Sequence, residues 1–118
     1  MPEVGTPTLD QLQVFLAVIE AGSFGGAARK LNRAVSAVSY AVANLEAQLG
    51  LLLLQREGSR KPVITEAGRA ILADARLLAD DLQALRARAA GLRGGLEAEV
   101  ALALDVIIPM EQVAGLLR

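Results

Sequence analysis

Apolar residues recur along this chain with more than one period, and each period marks an element. From Leu9 to about Ala21, Leu12, Phe15, Leu16 and Ile19 share one helical face, with Thr8 placed to cap the helix and Gly22 to stop it. A short helix is expected next, from Phe24 to about Leu31, capped by Ser23. Asn32, Arg33 and Ala34 make a three-residue connection, after which Val38, Val42, Leu45 and Leu49 follow at steps of 4, 3 and 4. That stripe predicts a second helix with one buried face, ended by Gly50. Leu51 to Leu54, a polar turn centred on Glu57, Gly58 and Ser59, and the returning Val63 and Ile64 read as a β-hairpin, with Pro62 at an edge or turn. Thr65 then caps the longest helix, Glu66 to about Ala90, where Ile71, Ala75, Leu78, Leu82, Leu85 and Ala89 alternate steps of 4 and 3. Sevenfold recurrence of this kind is the coiled-coil repeat and predicts a partner helix of the same sort. The run GLRGG, residues 91–95, reads as a hinge. Beyond it Val100, Leu102, Leu104 and Val106 alternate with smaller or polar residues, which predicts a strand, and Pro109 stands where a further helix can start.

Residues 23–50 are the stretch that the rest serves. Two helices joined by a tight turn form a helix-turn-helix, and the small residues Gly25, Gly26, Ala27 and Ala28 let them cross closely. On the face of the second helix opposite its apolar stripe fall Val35, Ser36, Ser39, Tyr40 and Ala43, small or hydrogen-bonding and without an acid among them. Such a surface can enter a DNA major groove, which is wide enough for a helix. The bare pattern is equally that of a helical hairpin with a solvated face.

Charge moves the balance. The chain of 118 residues has a net charge of -1, which is unusual for a DNA binder until it is divided. Residues 1–22 carry three acids and no base, and residues 63–118 carry six bases against eight acids. Residues 23–62 carry six bases, Arg29, Lys30, Arg33, Arg56, Arg60 and Lys61, against Glu46 and Glu57. Positive charge is thus concentrated around the helix-turn-helix and the hairpin turn, as backbone phosphates require. A hydrophobic content of 53% is ample for a core, and with 3% aromatics that core is built from Leu, Val, Ile and Ala. Cysteine and histidine are absent, which excludes disulfides, zinc fingers and thiol or imidazole catalysis. No cofactor is expected. The polar, slightly acidic start MPEVGTPTLD does not read as a signal peptide and the longest leucine run has four residues, so a cytoplasmic protein without a membrane partner is expected.

The residues are more specific than the pattern. In order and at matching spacing come Ser23-Phe24, Ala27-Ala28, the Ala-Val-Ser of AVSAVS, Leu45-Glu46, Leu49-Gly50 and the TEAG of residues 65–68. With these, residues 9 to about 90 resemble the amino-terminal domain of LysR-type transcriptional regulators. The resemblance implies a mainly α fold: a winged helix-turn-helix of three helices and a hairpin wing at 1–65, then a dimerising linker helix at 66–90. It further implies a hinge at 91–95 and, at 96–118, the first strand of a truncated α/β effector-binding domain. A bacterial regulator of this type binds an inverted-repeat operator as a homodimer, with higher oligomers open, and takes a small-molecule effector only when intact; the chain therefore reads as a fragment. Carried onto this sequence, Val35, Ser36, Ser39 and Tyr40 face bases or nearby phosphates, and Arg33, Arg56, Arg60 and Lys61 hold the DNA backbone. Ile71, Ala75, Leu78, Leu82, Leu85 and Ala89 form the dimer seam.

Two positions depart from that family. Its recognition helix usually opens with a capping serine followed by glutamine, where this chain has Ala34 and Val35. Loss of the cap costs about 1 kcal/mol, and loss of the glutamine removes a bidentate partner for adenine, for which Val35 can substitute a thymine-methyl contact. A second reading is a winged-helix interaction module that holds a protein partner and dimerises through the heptad helix. Catalysis is the weakest class: Asp80 and Asp81 lie on the outer part of a heptad helix, with no nucleophile, ligand cluster or phosphate loop nearby.

Overall fold

The computed structural model describes residues 5–56 and 61–107. Its element order is α1 (Leu9–Ala21), α2 (Phe24–Leu31), α3 (Val35–Leu49), β1 (Leu54–Gln55), β2 (Val63–Ile64) and α4 (Glu66–Ile107). Local chemistry sets the first boundaries. Thr8 and Gln11 close a capping box at the start of α1, each side chain meeting the other's backbone amide at 3.1 and 2.9 Å. Gly22 ends the helix in the left-handed region at φ 74°. The Ser23 hydroxyl then accepts from the Gly26 amide at 2.9 Å and starts α2. Asn32 closes α2 with φ 55°, the only left-handed residue other than glycine among those described, a conformation asparagine tolerates better than most.

Two compact units divide the chain, one reaching to Asp80 and one starting at Asp81. In the first, α1, α2 and α3 pack around Val14, Phe15, Val18, Ala27, Val38, Val42 and Leu45, all fully buried. Burying a side chain of Val, Leu or Phe size contributes about 1.5–3 kcal/mol, so seven positions from three helices fix how α3 is presented. Ala27 and Ala28 are buried at the crossing, and a Cβ on Gly26 would lie 2.9 Å from that of Ala21, so small residues are required there. Phe15 is in the core as expected. Phe24, the first residue of α2, is half-buried and packs against that core.

The hairpin is antiparallel, with Leu54 opposite Ile64 and Gln55 opposite Val63. Leu53 and Leu54 are buried, while Leu51 and Leu52 are exposed. Glu46 near the end of α3 anchors the strand, because one carboxylate oxygen accepts from the amides of Leu53 at 2.8 Å and Leu54 at 3.3 Å. The turn centred on Glu57, Gly58 and Ser59 lies outside the described residues, as does Arg60.

Thr65 organises the start of α4. Its hydroxyl donates to the Leu52 carbonyl at 2.6 Å and accepts from the Gly68 amide at 2.9 Å, while its own amide donates to the Leu53 carbonyl at 3.0 Å. Gly68 is pressed against that same carbonyl: a Cβ there would stand 2.2 Å from the Leu53 oxygen. The TEAG run is therefore a helix start and a close backbone approach in four residues.

The structure corrects the expectation for residues 91–107. No hinge interrupts the helix at GLRGG and no strand forms at Val100–Val106; α4 is helical to Ile107. A strand satisfies its backbone only beside another strand, and the strands among the described residues pair with each other. A helix satisfies itself, and Ala98, Ala101 and Ala103 between leucines and glutamates are strong helix formers. Gly91, Gly94 and Gly95 each cost about 1 kcal/mol relative to alanine, which the flanking residues offset. The further helix expected after Pro109 lies outside the described residues.

Candidate nucleic-acid interface

The exposed face of α3 is the candidate surface. Val35 is 50% exposed and Tyr40 71%, the latter a large aromatic left uncovered on a helix whose other side is clamped in the core. Ser36 and Ala43 are exposed beside them and Ser39 is half-buried. Glu46 is the one acid of α3, and its carboxylate is turned to the amides of Leu53 and Leu54. The outer face therefore presents hydroxyls, an aromatic ring and methyl groups, with no acid except Glu46. Ala34 occupies the N-cap without a side-chain hydrogen bond, which leaves first-turn amides of α3 without the partner that Thr8 and Ser23 give theirs.

The basic residues are not equivalent. Arg33, at the turn, makes a two-pronged pair with Asp10 in the first turn of α1, at 2.7 and 2.9 Å. The hydrogen bonds and charge of Arg33 hold the Asp10 carboxyl below its usual range, and Asp10 in turn raises the guanidinium. This pair was not foreseen; 23 residues separate its members and no local spacing announces it. Lys30 on α2 is likewise paired, with Glu20. Arg56, directly after β1, lies with its guanidinium 3.9 Å above the Phe24 ring centroid and donates from Nη1 to the Ser39 hydroxyl at 3.3 Å. Lys61 is exposed at the other side of the hairpin turn. The structure thus brings Arg56 to α3 and Arg33 to α1.

The heptad residues divide as well. Ala75 is fully buried in the core of its own unit, with Leu72 beside it, and Ile71 packs against that core. Ala75 is thereby corrected as a seam position, since its own core takes it up, while Ile71 is half-buried at the edge of that core. Leu78 is 46% exposed. In the second unit Leu85 and Ala89 are exposed and Leu82 is half-buried. The pattern also continues where a hinge was expected. Steps of 3 and 4 lead from Ala89 to Leu92 and Leu96, both exposed, and the spacing alone could have revealed it.

Among the described residues no three His, Cys, Asp or Glu side chains are placed to hold a metal ion, and no helix is long and apolar enough to cross a membrane. Residues 9–69 match the profile of bacterial regulatory helix-turn-helix proteins of the lysR family. This chain belongs to the LysR family. It is 42% identical over 88 residues to the HTH-type transcriptional regulator AceR of Acinetobacter baumannii, covering 75% of this chain and 29% of the relative. Among solved structures, the BenM DNA-binding domain in complex with catB site 1 DNA is 34% identical with a TM-score of 0.68, over 73% of this chain and 96% of that one. The CbnR DNA-binding domain–DNA complex is 38% identical with a TM-score of 0.61, over 71% of this chain and 98% of that one. The winged helix-turn-helix followed by a long helix is thus the architecture of LysR-family DNA-binding domains. The chain spans about a third of the length of the curated relatives it matches.

Proposed function

We propose that this chain binds duplex DNA in a sequence-specific manner and is the DNA-binding part of a LysR-type transcription regulator that works in the bacterial cytoplasm. The observation that carries the reading is the outer face of α3: exposed, rigidly backed, and without an acid except Glu46, whose carboxylate accepts from the Leu53 and Leu54 amides. The BenM and CbnR domains, which share this fold, are solved with DNA. Val35, Ser36, Ser39 and Tyr40 meet the major groove, where a hydroxyl or phenol can hydrogen-bond base edges and Val35 can pack on a thymine methyl. Arg56, Arg60 and Lys61 lie along the phosphate backbone from the wing; such contacts position the protein and read little sequence. Arg33 reaches a phosphate only by sharing or leaving Asp10, so its contribution is the smaller one. A second copy of the chain docks along α4 at Leu78, Leu82, Leu85 and Ala89, which sets two α3 helices on an inverted repeat. Effector sensing belongs to a longer protein, and no catalysis is assigned.

The test is a selection of bound duplexes from a random pool at moderate salt, run on the chain and on Val35→Gln in parallel. An interrupted inverted repeat enriched by the unaltered chain is the expected result. Enrichment only after Val35→Gln would show that this chain lacks its own reading residue. No salt-dependent duplex binding by either, from a folded protein, overturns the proposal in favour of a protein-binding winged helix, because phosphate neutralisation gives a steep salt slope and a protein interface does not.

A further inference from the structure

Arg56 makes two contacts that a plain phosphate clamp does not require. Its guanidinium rests on the Phe24 ring at 3.9 Å and its Nη1 donates to Ser39 Oγ at 3.3 Å. The ring holds the planar fork in place by cation–π attraction. The fork occupies one of the two lone pairs of the serine oxygen, since guanidinium nitrogens only donate and the oxygen must accept. The Ser39 proton is then directed elsewhere, and among the described residues no acceptor takes it. Ser39 lies on α3 one residue before the exposed Tyr40 and three after Ser36, at the edge of the candidate surface.

We infer that Arg56 is a positioning residue that makes the Ser39 hydroxyl a one-way donor toward the major groove, so that the base it faces is guanine, adenine or thymine and not cytosine. The inference rests on the DNA-binding reading above. In the major groove guanine shows the acceptors N7 and O6, thymine the acceptor O4, and adenine the acceptor N7 beside its N6 amino donor, whereas cytosine shows only its N4 amino donor. A serine hydroxyl left to itself rotates and serves either kind of edge. With the Arg56 cation beside it, one lone pair is taken and an approaching amino group, itself partly positive, is repelled.

The experiment measures affinity of the full chain for the selected duplex and for all four bases at each position of one half-site. The unaltered chain is compared with Arg56→Ala, Arg56→Lys, Ser39→Ala and the double variant Arg56→Ala with Ser39→Ala. At one position the unaltered chain disfavours cytosine by about fivefold, the weight of one hydrogen bond. Arg56→Lys keeps the charge and the salt slope but loses that discrimination, as do Arg56→Ala and Ser39→Ala, and the double variant loses no more than either. Loss of affinity that is equal for all four bases at every position assigns Arg56 to phosphate alone and overturns the inference. Discrimination against cytosine that persists in Arg56→Ala overturns it too, while leaving the DNA-binding reading intact. Absence of salt-dependent duplex binding by the unaltered chain overturns that reading, and this one with it.

Discussion

Two stretches of α4 carry glycine inside a helix, and the residue means opposite things in them. At the start of the helix Gly68 is buried and its missing side chain admits the Leu53 carbonyl. At Gly91, Gly94 and Gly95 an added Cβ would meet nothing within 4 Å. In the first place glycine is demanded by a neighbour distant in sequence; in the second it only weakens a helix that its flanks maintain. The contrast marks off two regimes. Up to Asp80 the fold is dictated by contacts between elements, and from Asp81 onward by local helix propensity, with most side chains of residues 81–104 exposed.

The largest test of that contrast is the same substitution at both places. Gly68→Ala drives a methyl group into a carbonyl that cannot easily yield, because it accepts from Thr65 and its residue's amide is held by Glu46. Overpacking of this severity costs about 3 kcal/mol, which for a domain of this size lowers Tm by roughly 10–20 °C. Gly94→Ala has the opposite sign and gains up to ~1 kcal/mol of helix propensity, seen as more helical signal in far-ultraviolet circular dichroism. A loss of helix from Gly94→Ala would show that the glycines serve a bend or a close approach after all.

A middle-sized test compares helix starts within the first unit. Ser23→Ala removes the hydroxyl that holds the Gly26 amide and costs about 1 kcal/mol by thermal or urea melting. Ala34 caps α3 with extended backbone geometry but no side-chain bond, so Ala34→Ser should regain about 1 kcal/mol. If Ala34→Ser leaves stability unchanged, the first turn of α3 already has its amides satisfied.

The same contrast explains what the residues disclosed in advance. The helices α1, α2 and α3, their caps at Thr8 and Ser23, and their stops at Gly22 and Gly50 follow from spacing and cap chemistry within a few residues of each site. That a hairpin forms followed from an apolar run returning after a turn, whereas its register, Leu54 opposite Ile64, did not. The outer face of α3 was equally legible, since Val38, Val42 and Leu45 fix what is left outside. Phe24 under Arg56, Arg33 on Asp10 and Ala75 in its own core were not, because each depends on which elements meet. Residues 96–107 misled for a different reason. Alternating leucine and alanine satisfies a strand and a helix alike, and the decision belongs to whether a neighbouring strand is present.

The smallest effect falls on the Asp10–Arg33 pair, and it carries a sign. Asp10 has its pKa lowered from the ordinary carboxylate value chiefly by the hydrogen bonds from Arg33; burial opposes this, and the guanidinium charge adds a smaller lowering. A carboxyl depressed on folding stabilises the native state at pH above its unfolded pKa, and that contribution fades as pH falls through the folded value. The pair is largely exposed, with both side chains open to solvent and salt, so its worth is small and screened. Asp10→Asn should therefore leave melting near neutrality only slightly lowered and should flatten the loss of stability below about pH 4. Because the pair ties the turn before α3 to α1, acid should lower the protection of the Arg33 amide, taken against its intrinsic exchange rate at the same pH, before it lowers that of Gly91–Gly95. An acid limb unchanged by Asp10→Asn would show that the two-pronged contact does not hold in solution, and Arg33 would then be as available to a phosphate as Lys61.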